Sequence, residues 1–214
     1  MNVLPGRGNG RAPARGVGQM RDVLRFGDVD RDLATLTERL APSVVEVRAG
    51  SGVGAGTIWR ADGLIVTNDH VVPHRQAEIR FSDGRTIRGT VLARDPGNDL
   101  AVVSVDLGGL PAVQARRDPV RPGELVVAMG HPFGVRHAVA VGIVSAATRA
   151  VDESGRQLIR ADVPIGPGSS GGPLVDALSR VVGIAAMVGG GLALAVPSQL
   201  AEGLVRAVVA RAAA

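Results

Sequence analysis

The chain has no cysteine and no tyrosine, and only one tryptophan and three phenylalanines in 214 residues. Without thiols there is no disulfide scaffold, no cysteine nucleophile and no cysteine-ligated zinc or iron–sulfur centre. With so few rings, the interior has to be assembled from Val, Leu, Ile and Ala. Lysine is absent as well, so all 24 basic residues are arginine. A membrane helix is also missing. The longest uncharged stretch, Val181 to Ala201, is interrupted by Gly183 and by Gly189, Gly190 and Gly191, with Pro197 beyond. Each interior glycine costs a helix about 1 kcal/mol relative to alanine, and a central glycine triplet signals a turn. The flanks Val181–Val188 and Leu192–Val196 therefore predict a buried hairpin.

What is present describes a folded chain of many short strands. Apolar residues make up 45% and charged residues 21%, a globular balance. Thirty glycines and 13 prolines demand turns at a density that a helical bundle does not use. The net charge of +4 is local. Residues 1–25 hold five arginines (Arg7, Arg11, Arg15, Arg21, Arg25) against Asp22, so the remainder of the chain is neutral. This Gly/Arg/Pro-rich arm, residues 1–28, buries too little apolar surface to order itself. It reads as a solvated tail, with an RNA-binding arm as the competing reading; no nucleic-acid partner is expected. No apolar run follows the early arginines, so no secretory leader is read and the cytoplasm is the expected compartment.

Asp30 to Leu40 places Leu33, Leu36 and Leu40 at helical spacing, and Ala41-Pro42 ends it. Six strand-like runs follow: Ser43–Arg48, Gly54–Trp59, Leu64–Thr67, Ala77–Phe81, Thr86–Ala93 and Leu100–Val105. A Pro-rich connector separates them from six more: Leu125–Met129, Ala138–Ala147, Gln157–Ala161, Pro173–Val175, Val181–Val188 and Leu192–Val196. Gln199 to Ala213 closes the chain as an amphipathic helix, with Leu200, Leu204, Val205, Val208 and Val209 on one side. Two six-stranded β-barrels side by side satisfy this pattern. The expected layout is barrel one at 43–110, a linker at 111–123, barrel two at 124–197 and the helix at 199–213.

Gly168-Ser169-Ser170-Gly171-Gly172-Pro173 carries the chemistry. A nucleophilic serine needs a base in reach, two convergent backbone N–H groups and open access. Glycines around Ser170 grant the backbone angles and the access, and the N–H groups of Gly168 and Ser170 would face the developing oxyanion. The segment also matches the nucleophile elbow Gly-x-Ser-x-Gly. That motif requires a following helix and the order serine, acid, histidine. Here Gly171-Gly172-Pro173 blocks a helix, and His70, His74, His131 and His137 all precede Ser170. A triad ending in serine remains. His70 follows the apolar strand Leu64–Val66, and Asp99 opens the apolar run Leu100–Val103 after a turn. A carboxylate at a barrel rim needs a partner, and an imidazole N–H supplies one. Alone, His70 would be a core histidine and Asp99 a turn residue; order and context together argue for His70, Asp99 and Ser170.

These segments resemble the HtrA (Deg) serine proteases of the chymotrypsin fold. Gly54-Ala55-Gly56 through Ala61-Asp62-Gly63 to Thr67-Asn68-Asp69-His70-Val71-Val72 carries the match. So do Asp99-Leu100-Ala101-Val102, Gly130-His131-Pro132-Phe133-Gly134, Val141–Ala146, Ile165–Leu174, Val182-Gly183-Ile184 and Leu194–Ser198. The resemblance spans about residues 30–212. It implies an all-β, chymotrypsin-like double barrel with a helix at each end. It implies a serine endopeptidase, with His70 as base, Asp99 orienting it, Ser170 as nucleophile, and Gly168 and Ser170 as oxyanion donors. No cofactor and no metal are implied. His70 and His74 stand at i and i+4, but Pro73 breaks the helix that a metal pair would need. Polypeptide substrates and damaged or unfolded chains are implied, and a homotrimer is a candidate assembly. A protease-like module that binds peptides without cleaving them is the alternative.

Three positions depart from the family pattern: Ser169, Asp69 and His131 each stand where relatives carry Asn. A neutral Ser169 cannot pair with a freshly cleaved N-terminus. His131 is read as a turn residue. Relatives usually carry PDZ domains and a leader, whereas this sequence is expected to be the protease domain alone. Pro164, Ile165, Ala185, Ala186 and Met187 are uncharged and predict a pocket for a small aliphatic residue (Val, Ala or Ile) before the scissile bond.

Overall fold

The computed structural model describes residues 26–50, 52–151, 155–189 and 191–213; nearly all of the arginine-rich arm lies outside these. The first helix, α1, spans Phe26–Leu40, beginning earlier than the Asp30 start read from apolar spacing. Its first turn, Phe26-Gly27-Asp28-Val29, contains a glycine, which weakens the helix signal there, while Asp28 complements the helix dipole. Leu36 and Leu40 are buried.

Barrel one contains β1 (Val44–Ala49), β2 (Gly52–Ile58), β3 (Leu64–Thr67), β4 (Gln76–Arg80), β5 (Thr86–Asp95) and β6 (Leu100–Ser104). It closes in the order β1-β2-β3-β6-β5-β4. A two-residue strand, β7 (Gln114–Ala115), comes next. Barrel two contains β8 (Leu125–Gly130), β9 (Ala138–Val151), β10 (Gln157–Asp162), β11 (Pro173–Asp176), β12 (Arg180–Gly189) and β13 (Leu192–Pro197). Its order is β11-β8-β9-β10-β13-β12, and a β11–β12 pairing closes the ring. Both barrels are antiparallel and six-stranded, the fold class predicted from the strand count. The uncharged stretch is indeed a hairpin of β12 and β13. Among the described residues no helix is long and apolar enough to cross a membrane.

β7 corrects the connector reading. Gln114 and Ala115 pair in parallel with Arg180 and Val181 of β12, and two residues are too few for any periodic pattern to show.

Alternation along the strands explains the aromatic poverty. In β3, Ile65 faces the interior of barrel one, whereas Leu64 and Val66 join a cluster between the barrels. β6 divides the same way: Ala101 and Val103 go inward, Leu100 and Val102 to the seam. In β8, Val126 and Ala128 fill barrel two while Val127 and Met129 face the seam. Strands buried on both faces read as continuous apolar runs, and small branched side chains fill two narrow interiors where rings would overpack. The second helix, α2 (Ser198–Ala212), caps the seam with Ala201, Val205 and Val208. Trp59 Nε1 donates to Glu202 Oε2 at 2.7 Å, tying that helix to barrel one.

Candidate active site

Three turns at the seam carry the candidate residues. His70 sits in a single helical turn, Asp69–Val71, just past the end of β3. Asp99 immediately precedes β6, in a turn where the Asn98 N–H donates to Asp95 Oδ1 at 3.1 Å and the Asn98 side-chain amide donates to Asp95 Oδ2 at 2.7 Å. That turn holds Asp99 at φ +54°, a left-handed conformation that short polar residues tolerate. Buried Asn68 donates to the Asp99 carbonyl at 2.8 Å, pinning the acid turn to the histidine turn. Asn68 was not singled out in the sequence, because its role exists only across a 31-residue separation.

His70 Nδ1 lies 2.8 Å from Asp99 Oδ2 and 3.0 Å from Oδ1, and the His70 backbone N–H donates to Oδ1 at 3.1 Å. An acid that accepts from Nδ1–H leaves Nε2 with the lone pair, the tautomer a general base requires. The bond to Asp99 raises the imidazole pKa above its usual value; burial opposes this, and the charges of Asp99 and then Asp69 add to the rise. Asp99 is buried and His70 half-exposed, so the carboxylate is sheltered while part of the imidazole meets solvent.

Ser170 is carried by the loop entering β11. Its carbonyl accepts from the Ala55 N–H at 2.7 Å, which binds the loop to β2. The space beside Gly54 shows the proximity: Val71 Cγ1 and the Ser170 carbonyl oxygen both lie within 3.0 Å of where a Gly54 Cβ would sit. The hydroxyl of Ser170 donates to the Ala186 carbonyl at 2.7 Å. Ala186 and Met187 in turn line a cleft of about 500 Å³ with Asp69, His70, Pro96, Asp99 and Arg156.

The amides of the serine loop divide cleanly. Ser169 N–H donates to Gly166, Gly171 N–H to Ala185 and Gly172 N–H to Ser169. The N–H groups of Gly168 and Ser170 make no backbone bond among the described residues. The Phe133 N–H holds the Pro167 carbonyl at 3.1 Å; across a planar trans peptide, the Gly168 N–H therefore points away from that turn. Gly168 sits at φ +99°, and a Cβ there would lie 2.4 Å from the His131 carbonyl oxygen. Two open amides beside an accessible serine can receive an oxyanion.

The five pocket candidates do not form one cavity. Pro164 and Ile165 line a small cavity of about 60 Å³ with Ser169, Ala128, Met129 and Gly130. Ala185 is buried, with its N–H bonded to Gly172 and its carbonyl to the Gly171 N–H. Ala186 and Met187 alone face the cleft beside His70.

His131 is more than a turn residue. The residue is 2% exposed and its backbone N–H donates to the Gly168 carbonyl at 3.1 Å, directly under the serine loop. Nδ1 accepts from the His137 N–H at 3.3 Å. Burial pushes its pKa down to about 4; the positive charges of His137 and Arg136 act the same way, and Glu46 opposes them. A Gly-His-Pro sequence signals only the turn; burial comes from barrel one packing over it.

A family model described as a trypsin-like peptidase domain matches residues 54–184. The chain is 39% identical over 163 residues to a probable periplasmic serine endoprotease DegP-like of Ectopseudomonas mendocina, covering 72% of this chain and 34% of that protein. It is 38% identical over 188 residues to serine protease HTRA1 of Xenopus laevis, covering 78% and 40%. Among solved structures, the serine endoprotease from Yersinia pestis superposes with a TM-score of 0.75 at 29% identity, over 82% of this chain and 66% of that one. The chain thus spans little more than a third of the length of these curated relatives. The cytoplasmic location expected above is overturned by the periplasmic relatives. The reading had rested on a missing leader, which says nothing in a chain that matches only part of its relatives. Matched over most of its described residues in sequence and in fold, the chain belongs to the trypsin-like peptidases of the HtrA type.

Proposed function

We propose that the chain is a serine endopeptidase acting on polypeptides, with Ser170 as nucleophile, His70 as general base and acid, and Asp99 orienting the imidazole. The observation that carries this reading is the two-oxygen grip of Asp99 on His70, at a cleft lined also by Ala186, whose carbonyl accepts from the Ser170 hydroxyl. In the first step His70 Nε2 takes the Ser170 hydroxyl proton as Oγ bonds to the peptide carbonyl carbon. The carbonyl oxygen becomes an oxyanion facing the N–H groups of Gly168 and Ser170. His70 then gives the proton to the amide nitrogen, the C–N bond breaks and an amine leaves. Water, deprotonated by His70, then adds to the acyl carbon; the ester C–Oγ bond breaks, the carboxylic acid product leaves, and the proton held by His70 returns to Ser170 Oγ.

The substrate preference belongs to the same proposal. Ala186 and Met187, which face the cleft beside His70, are uncharged, and this supports a small aliphatic residue before the scissile bond. A periplasmic setting follows the relatives' names. Assembly as a homotrimer is tested by light scattering at three times the chain mass.

The test of the activity is a fluorophosphonate probe together with an unfolded protein substrate. Wild type is expected to take the label and cleave, and Ser170→Ala to do neither. Wild type that folds but takes no label at any pH would leave only the peptide-binding alternative.

A further inference from the structure

Asp69 brings a carboxylate to the residue before His70, and one arginine answers it. Arg94, on β5, donates from Nη1 to Asp69 Oδ1 at 2.6 Å. Its Nη2 donates to the Val72 carbonyl and, at 2.8 Å, to the His74 carbonyl. The three acceptors bracket His70 on both sides along the chain. Arg94 and Asp69 are about 31% and 22% exposed in their side chains, so the pair is partly withdrawn from water. A planar guanidinium can serve three acceptors at once, and an ammonium cannot do so with the same geometry.

The next residue on the strand completes the arrangement. Asp95 holds the Asn98 turn that presents Asp99. Arg94 and Asp95 pair across the ladder with Ala101 and Leu100 of β6. Two consecutive residues of one strand thus fix the histidine turn and the acid turn relative to each other.

Arg94 also sets a positive charge against the Asp69 carboxylate. The titratable and charged groups on the elements that carry and flank the imidazole are Asp99 before β6, Asp69 on its own turn, Arg94 and Asp95 of β5, His74 further along the loop, and Arg156 on the cleft wall. Ala186 and Met187 of β12 contribute none. Asp69 favours the protonated imidazole, the form that cannot act as a base.

We infer that Arg94 is a positioning residue for this site: it clamps the His70 turn through three acceptors and pairs with the Asp69 carboxylate beside the imidazole. The inference rests on the reading of His70 as general base. It concerns a pair that exists because Asp69 stands where the family pattern has Asn.

The experiment titrates the four histidines of the full chain by NMR, with His70 assigned by the signal lost in His70→Gln. In parallel, the rate of fluorophosphonate labelling is followed against pH. Arg94→Gln is expected to raise the His70 pKa and move the acid limb of labelling upward; Asp69→Asn is expected to move both downward. The double variant should fall between them. At the pH plateau, Arg94→Gln should label about 10- to 100-fold more slowly, the cost of a displaced catalytic group. Asp69→Asn keeps the two carbonyl bonds of Arg94 and should stay within about fivefold of wild type, the scale of one partly exposed ion pair. Arg94→Lys restores the acid limb without the full rate.

Shifts of the same sign in Arg94→Gln and Asp69→Asn, or no shift in either, overturn the inference. Should Arg94→Gln fail to fold, Arg94→Lys decides: a plateau labelling rate equal to that of wild type overturns the inference. If wild type takes no label, the peptidase reading fails; opposed NMR shifts would still support the coupling, and their absence would still overturn it.

Discussion

The Ser170 hydroxyl donates to the carbonyl oxygen of Ala186, 2.7 Å away, and not to His70. In the proposed mechanism the hydroxyl turns from that carbonyl toward Nε2 of His70. Catalytic hydrogen bonds commonly tighten only when substrate arrives. Ser170→Ala should therefore lower turnover roughly a million-fold yet change stability by no more than about 1 kcal/mol, since one partly buried hydrogen bond is lost. Peptide hydrolysis and urea unfolding read the two quantities. A collapse in stability would recast Ser170 as a structural residue.

Asp99 sets both the tautomer and the proton affinity of His70. Because the folded imidazole pKa is raised, the base is neutral only above that raised value, and kcat/KM should climb with pH beyond the usual histidine range. For stability the sign is reversed: the His70–Asp99 contribution is present at pH below the ordinary imidazole pKa and is lost as pH rises through the folded one. Asp99→Asn removes the larger cause of the shift. Its turnover should fall about 10⁴-fold, and the residual activity should show its acid limb at lower pH. A variant with an unmoved limb would show that Asp99 does not set the titration.

Gly168 is held where no side chain fits. In Gly168→Ala the new Cβ would meet the His131 carbonyl oxygen at 2.4 Å on a backbone at φ +99°, so the loop has to shift and its two open amides with it. Turnover should drop about 100- to 1000-fold, the worth of one oxyanion donor. The His70 NMR titration should stay near wild type, because the Asp99 contact lies on another turn. If activity is unaffected, the two amides are not the oxyanion site.

His131 makes folding sensitive to acid. Unfolded, its imidazole takes a proton as pH falls below about 6.5; buried, it resists until about 4. Stability from this residue is complete above the unfolded pKa and drains away as pH falls toward the folded one, by roughly 3 kcal/mol in all. Urea unfolding of wild type and His131→Asn at pH 7 and pH 4.5 isolates it: the gap between the two proteins should narrow or reverse as the solution is acidified. A gap independent of pH would place the titration elsewhere.

Local signals were readable wherever a short segment carries its own instructions. Leu64–Thr67 shows its limits in composition because Ala61-Asp62-Gly63 turns the chain just before it. The glycines around Ser170 advertise an unusual backbone for the same reason. The α2 face was only partly legible: Leu200, Leu204 and Val209 pack at its margin, while Ala201 is fully buried, and alanine carries too little hydropathy to announce which face is inside.

Side-chain type and spacing along the chain determined the twelve main strands, the barrel class and the residues able to do chemistry, because alternation and turn propensity act over a few residues. Closure of the barrels decided the rest: the joining of Gln114 to β12, the burial of His131, the grip of Arg94 on Asp69 across 25 positions, and the acceptor that Ser170 uses at rest. Those contacts depend on strand register and on the packing of one barrel against the other, and neither is encoded within a single segment.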